Sequence, residues 1–329
     1  MPLRDFKRLI SPEAFSDIES LAKKARQITK QRFGNTIQLY APLYLGNICY
    51  NQCVYCGYNI KNKHKRVILN KSEILREGLI LKEKGFNHIL LLTGDAPKET
   101  SVSYIKKAIK ILKPHFASIS LEIYPLETAE YKELIQAGAD SLTIYQETYH
   151  RPTYENMHLS GKKRDYDYRF DTPERAGKAG FYRINLGVLL GLYDWRYEAL
   201  KLANHVDYLQ KKYWQTKFSI SIPRIQDMGQ AFKSPHPVSD SDLVQLICAF
   251  RLVFPDLGIT LSTREPAELR DHLLKLGITT ISAESSTAPG GYTNKNNSEQ
   301  FKVSDYRSLT EIKKLLQNND FEPVMKDWD

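Results

Sequence analysis

Apolar and polar positions change period repeatedly along the chain. Over residues 11–33 apolar residues recur at Phe15, Ile18, Leu21, Ala22 and Ala25, the spacing of one helix face. Pro12 and Glu13 suit a first helical turn, and Gly34 suits a stop. Beyond it, short runs rich in β-branched and aromatic residues alternate with helical patterns. Eight runs read as strands: 37–46, 88–94, 118–125, 141–147, 183–191, 218–223, 259–265 and 278–284. The helical patterns between them are 72–84, 102–112, 128–136, 173–179, 195–212, 240–253 and 266–276.

This alternation predicts parallel βαβ units. Several strands are continuous apolar runs, as a sheet covered on both faces requires. Eight units predict an α/β fold, a (β/α)8 TIM-type barrel with an N-terminal helix and a C-terminal extension. A doubly wound open sheet is the structural alternative. The expected organisation is an N-terminal helical extension over 1–36, a barrel over 37–290 and a tail over 291–329. One helix of that tail packs on the barrel, and Ser308 and Glu311 form its capping-box pattern. Residues 149–171 read as a long polar loop, a length associated with function.

Composition narrows the class. Of 329 residues, 42% are hydrophobic and 26% charged, which excludes long disorder. No run approaches the ~20 apolar residues of a membrane span. The start MPLRDFKRLI lacks the apolar core of a secretory signal, so the expected location is cytoplasmic. The net charge of +9 permits an anionic partner and equally describes an ordinary basic surface.

Three of the four cysteines form C-x3-C-x2-C: Cys49, Cys53 and Cys56 in NICYNQCVYCGYN. They follow the first strand, at the end where a parallel barrel carries its active site. Soft thiolates suit zinc or an iron–sulfur cluster. A structural zinc site wants four protein ligands, so a distant one such as His64 would be needed. Three thiolates on a [4Fe–4S] cluster leave one iron open to a ligand. Cys248, inside LVQLICAFRLVF, reads as core. The chain carries no H-E-x-x-H, G-x-x-x-x-G-K-[ST] or G-x-G-x-x-G motif.

The cysteine motif followed by Tyr58 resembles the signature of the radical S-adenosylmethionine superfamily. That resemblance implies one [4Fe–4S] cluster on the three cysteines. It also implies S-adenosylmethionine on the open iron, with Tyr58 near the adenine. The segments PLYLGNICYNQCVYCGYN, TGDAP, IYQETYH, LLGLYDWR, LSTRE, SSTAPGGY and VMKDWD are similar to those of the 2-iminoacetate synthases. These are the tyrosine lyases of bacterial thiazole formation for thiamine. The likeness spans 11–329. Two departures stand out: the N-terminal extension is short, and TGD replaces the family's usual TGE.

The implied reaction is radical cleavage of the Cα–Cβ bond of L-tyrosine to 2-iminoacetate (dehydroglycine) and p-cresol. It requires S-adenosylmethionine and an external one-electron reductant. The substrate's carboxylate needs a cation, and an arginine offers a bidentate fork. Arg264 in LSTRE, at the end of the seventh strand, is the candidate; the plain alternative is pairing with Glu265 or Glu268. Tyr44 and Ser282 match polar positions near the bound amino acid. Thr93, Gly94 and Asp95 resemble the motif that meets the methionine amine, with a turn cap as the plain alternative for Asp95. Glu122 is a candidate for the ribose hydroxyls and Arg169 for the methionine carboxylate. Glu147 suits either ligand. His150 and His158 read as solvated loop residues, with phenol proton transfer as the alternative.

Lys61, Lys63, Lys65 and Arg66 form a basic run that reads as a solvated face or a dock for an acidic donor, flavodoxin or ferredoxin. Thiazole synthase is the implied protein partner; no membrane and no nucleic acid is expected. Alternatives within the superfamily are a tryptophan lyase and the tyrosine lyase of hydrogenase maturation. The latter carries a second cluster on further cysteines, and none follows Cys248 here. A zinc-stabilised nucleic-acid-binding protein is the remaining alternative; it leaves eight barrel units unexplained.

Overall fold

The computed structural model describes residues 2–225, 232–294 and 297–325; the final KDWD of VMKDWD lies outside the described residues. Eight parallel strands follow one another around a closed ring: β1 (Thr36–Gly46), β2 (His88–Thr93), β3 (Ser118–Glu122), β4 (Ser141–Glu147), β5 (Arg183–Val188), β6 (Lys217–Ser221), β7 (Gly258–Leu261) and β8 (Thr280–Ser282). Closure is made by β1. It pairs β8 from Gln38↔Thr280 to Tyr40↔Ser282 and β2 from Ala41↔Ile89 onward. The open-sheet alternative is thereby excluded.

Helices α1 (Pro2–Leu9) and α2 (Ile18–Phe33) precede the barrel. Between strands run α3 (Lys71–Glu83), α4 (Val102–Leu112), α5 (Thr128–Ala137), α6 (Arg151–Met157), α7 (Tyr166–Phe170), α8 (Thr172–Ala179), α9 (Trp195–Lys212), α10 (Asp240–Val253) and α11 (Ala267–Leu273). After β8 the chain forms α12 (Leu309–Asn318) and β9 (Glu322–Val324). Polar caps start the helices where the sequence turns polar: Asn70, Ser101, Ser239 and Ser308 each accept a backbone N–H of the first turn. The Ser308–Glu311 box forms, with the Ser308 backbone N–H donating to Glu311 at 2.8 Å.

Three elements depart from the sequence pattern. The 11–33 helix begins with a 3-10 turn over Glu13–Asp17, and only then does α2 start. Ahead of it lies the unforeseen α1, anchored by Phe6, whose ring centre is 4.7 Å from that of Phe250. Fully burying such a ring stabilises by about 1.5–3 kcal/mol, one contribution toward holding α1 against the barrel. The expected loop 149–171 contains α6, a 3-10 turn and α7, because Tyr154 and His158 are buried beneath it. Cys248 is core as expected, packed with Leu21 and Ala25 of α2.

β9 also escaped the sequence reading. It pairs β1 from Thr36↔Glu322 to Gln38↔Val324. Gln38 already meets β8 on its other edge, so β9 lies beside β1 below β2, at the barrel end where strands begin. The barrel interior is unusually polar there. Gln38, His88, Ser120, Thr143, Asn185, Ser219 and Thr260 line a cavity of about 780 Å³ open at that end. A barrel interior more often holds layers of branched apolar side chains. Among the described residues no helix is long and apolar enough to cross a membrane.

Candidate active site

The three clustered cysteines sit on the loop that leaves β1 at the opposite end of the barrel. β1 is irregular between Tyr44 and Gly46, which turns its last residues toward the mouth. Cys53 is buried, Cys49 and Cys56 partly so. The loop is tied by charge and amide groups rather than by regular structure. Arg66 donates to the carbonyls of Asn47 (2.8 Å), Tyr58 (3.0 Å), Asn59 (2.7 Å) and Asn62 (3.3 Å). Asn59 Nδ2 donates to the Cys53 carbonyl at 2.8 Å. Asn51 bridges outward: its Nδ2 donates to Asp95 at 2.7 Å and its Oδ1 accepts from the Lys163 backbone at 3.0 Å. At the end of β2, a Cβ on Gly94 would fall 2.0 Å from the Ile48 carbonyl, so only glycine lets this turn touch the cysteine loop.

Burial pushes the Cys53 thiol up to about 12 and the Cys56 thiol upward, with the Lys163 charge opposing it in both. Such thiols stay protonated until a metal takes them as thiolates. Three soft sulfur donors on one short loop nonetheless suit an iron–sulfur cluster. Among the described residues no group of His, Cys, Asp and Glu converges on a single metal ion. The thiolates of an iron–sulfur cluster bind separate irons and need no such convergence.

Beside Cys56 opens a cavity of about 110 Å³ whose wall includes Tyr44, Tyr55, Glu122, Glu147, Lys163, Arg264, Ser282, Ser285, Thr287, Gln300 and Phe301. It is smaller than the cavity at the far end, but it holds the motif sulfur of Cys56 together with Arg264 and Lys163. Beside Cys56, five other candidate residues thus meet here: Tyr44, Glu122, Glu147, Arg264 and Ser282. Tyr58 packs edge-on behind Tyr44, with ring centres 6.0 Å apart, and donates to the Thr287 carbonyl at 2.6 Å. Thr93 Oγ1, at the end of β2, is buried without a hydrogen-bond partner. Asp95 and Arg169 line an adjoining outer cavity, of about 460 Å³.

Arg264 has no carboxylate within ion-pair distance among the described residues. The alternative pairing with Glu265 or Glu268 does not occur among the described residues; Glu265 binds Arg224, whose Nε lies 3.1 Å from it. Instead the Arg264 guanidinium sits over the Phe301 ring, 3.6 Å from its centre. Arg169 is engaged: its Nε donates to the Tyr145 carbonyl at 2.6 Å, and Glu147 lies 3.6 Å away. Glu147 also accepts from Lys163 at 2.6 Å. Its backbone is left-handed, with φ 70°, after a bulge in β4 that turns its carboxylate inward. Burial, then the charge of Glu147, raises Glu122 to about 7.

His158 is a correction. It is fully buried, not solvated. Its Nδ1 lies 2.8 Å from the Tyr154 carbonyl, which only accepts, so Nδ1 carries the proton and Nε2 accepts from Tyr55 at 2.8 Å. Burial lowers its pKa to about 3, leaving it neutral. His150 stacks on Tyr193 at 3.7 Å. In the basic run, Lys61, Lys63 and Lys65 are exposed while Arg66 points inward. Lys163, Tyr55, Gln300 and Phe301 were not foreseen; only Tyr55, lying between two motif cysteines, carried a usable signal.

The comparisons with known proteins agree with this geometry. The chain is 42% identical to a 2-iminoacetate synthase of Escherichia coli (strain K12), over 99% of this chain and 87% of that protein. It belongs to the 2-iminoacetate synthase family. The Salmonella typhimurium 2-iminoacetate synthase is 40% identical over the same shares. Residues 43–203 match the Radical SAM superfamily and residues 221–322 the Biotin and Thiamin Synthesis associated domain. Membership of the Radical SAM superfamily implies an iron–sulfur cluster and S-adenosylmethionine. Among solved structures, HydG, a maturase of the [FeFe]-hydrogenase, superposes with a TM-score of 0.93 at 34% identity, covering 98% of this chain and 75% of that one. A methylornithine synthase shares the fold, with a TM-score of 0.76 at 22% identity, covering 98% of this chain and 93% of that one.

Proposed function

We propose that this member of the 2-iminoacetate synthase family cleaves L-tyrosine between Cα and Cβ, releasing 2-iminoacetate and p-cresol for the thiazole ring of thiamine. The observation that carries the reading is one cavity holding both a motif cysteine, Cys56, and a guanidinium with no carboxylate in ion-pair contact, Arg264. Cys49, Cys53 and Cys56 hold a single [4Fe–4S] cluster. When bound, the cluster and S-adenosylmethionine would together supply the one-electron radical chemistry that removes hydrogen from the substrate, the electron coming from the external reductant.

The chain's own groups bind, orient and shield. Arg264 takes the substrate carboxylate in a bidentate grip, and Phe301 steadies the guanidinium. Tyr44 and Ser282 line the same pocket and receive the polar end of the amino acid. For S-adenosylmethionine, Tyr58 flanks the adenine, and Thr93, Gly94 and Asp95 meet the methionine amine. The unpartnered Thr93 hydroxyl and the oriented Asp95 carboxylate support that assignment. Glu122 serves the ribose hydroxyls, and Arg169, held by Glu147, serves the methionine carboxylate. Gln300 and Phe301, on the segment after β8, wall the cavity and help keep water from reactive species.

The reductant is an acidic one-electron donor, flavodoxin or ferredoxin, drawn to the exposed Lys61, Lys63 and Lys65 beside the cysteine loop. Thiazole synthase receives the product, in the cytoplasm. In this reading the chain divides into 1–36, the barrel 37–290 and the tail 291–329.

The test is anaerobic purification, reconstitution with iron and sulfide, and an assay for p-cresol. A brown protein that makes p-cresol only with S-adenosylmethionine and reductant, and loses the activity in Cys53→Ala and in Arg264→Ala, is the expected result. A reconstituted protein that leaves tyrosine intact while cleaving tryptophan overturns the substrate; a colourless one-zinc protein overturns the reading altogether.

A further inference from the structure

One side chain joins the cysteine loop to the substrate pocket, and it comes from neither the motif nor a barrel strand. Gln300 stands 244 positions after Cys56, on the segment between β8 and α12. Its main chain is held on both sides. The Gln300 N–H donates to the Thr287 carbonyl at 3.0 Å, and its carbonyl accepts from the Gly57 N–H at 3.1 Å. A Cβ on Gly57 would lie 2.5 Å from that carbonyl, so the segment rests directly on the residue after Cys56.

The side chain then reaches between two groups. Its Oε1 accepts from the Tyr44 hydroxyl at 2.7 Å, and its Nε2 lies 4.0 Å from Cys56 Sγ. Both contacts select one orientation of the amide. A metal-bound thiolate only accepts, so the NH2 end must face sulfur. The carbonyl end is left for Tyr44, which is 3% exposed and has a hydroxyl to satisfy.

We propose that Gln300 is a positioning residue that donates an N–H···S hydrogen bond to Cys56 in the cluster-loaded protein and seats the Tyr44 hydroxyl. It thereby tunes the cluster's reduction potential and the substrate pocket through one carboxamide. The proposal rests on the reading that Cys49, Cys53 and Cys56 hold a [4Fe–4S] cluster. Reduction adds negative charge to the cluster sulfurs. An N–H donor therefore stabilises the reduced form more than the oxidised form and raises the potential.

The experiment is an EPR-monitored redox titration at pH 8 of reconstituted wild type, Gln300→Leu, Gln300→Glu and Tyr44→Phe. Iron content and circular dichroism on the same samples establish loading and fold. Leucine removes the amide at similar size and isolates the donor; glutamate removes the donor and adds a negative charge at pH 8, so its potential falls at least as far. Both Gln300 variants are expected to reduce less readily, by roughly tenfold in equilibrium constant, which is 59 mV for one electron. Tyr44→Phe keeps the wild-type potential and raises KM for tyrosine; Gln300→Leu lowers the potential and also raises KM. Loaded, folded Gln300 variants with the wild-type potential overturn the proposal and leave the cluster reading standing. A wild-type protein that assembles no cluster overturns that reading and the proposal with it.

Discussion

Arg264 and Phe301 come from opposite sides of β8 in the chain and meet with 3.6 Å between the guanidinium carbon and the ring centre. The ring holds the cation without consuming its charge. A carboxylate partner would have done the reverse, and Glu265, the nearest candidate in sequence, is taken by Arg224.

Phe301→Ala removes that support. A cation–π contact is worth about 0.5–2 kcal/mol, so KM for tyrosine should rise by roughly 2- to 30-fold with a smaller change in kcat. Arg264→Lys keeps the charge and loses the fork. Its kcat/KM should fall by roughly 10- to 100-fold, as loss of one charge-assisted hydrogen bond implies. Steady-state p-cresol formation checks both.

Arg66 supports the cysteine loop through four carbonyls. Arg66→Ala leaves them without their donor and should cost on the order of 2–4 kcal/mol locally. The expected outcome is lower iron retention after reconstitution and faster bleaching in air. Arg66→Lys should recover only part of it, because one ammonium cannot reach four carbonyls. Iron analysis against time checks this.

Glu122 gives a pH signature in the metal-free protein. Its pKa is raised from the ordinary 4.5 to about 7, first by burial and then by Glu147. The folded state therefore holds a proton that the unfolded state releases. Stability from this group falls as pH rises between about 4.5 and 7 and stays low above it. Ionisation costs on the order of 3 kcal/mol by pH 8. Glu122→Gln should melt progressively higher relative to wild type across that window. Thermal denaturation at several pH values checks the slope; a gap independent of pH would contradict it.

The segment after β8 is locked by a buried ion pair. Arg270 binds Asp305, and its second nitrogen donates to the Ser282 carbonyl at 2.5 Å. Asp305→Ala leaves Arg270 buried without its counter-charge and should destabilise by about 3–5 kcal/mol. The same change loosens the chain that carries Gln300 and Phe301, so tyrosine binding should weaken with it. Denaturant unfolding and KM check the two effects.

Much of this was legible in the chain itself. Eight strand runs separated by helical patterns specify a parallel barrel because periods of two and 3.6 demand different surroundings. C-x3-C-x2-C after the first strand specifies the end of the barrel that does chemistry, since that motif is local and its spacing survives folding. Arg264 was legible because the loop leaving a strand's C-terminal end falls at the mouth whatever its neighbours are, although β7 itself stops at Leu261.

The remainder belongs to the tertiary structure. Whether Arg264 is paired or open depended on Arg224 reaching Glu265 first. Glu147 turns inward only because a bulge in β4 puts it at φ 70°. His158 looks like any loop histidine until α6 and Tyr55 bury it. Gln300 and Phe301 lie in a polar stretch with no period, and their place over Cys56 and Arg264 is set by contacts such as Glu77 to Thr293, 216 residues apart. Local patterns determine which elements form and which end of the barrel is reactive. Distant packing decides which charges stay free, because a charge is free or paired according to what long-range folding brings beside it.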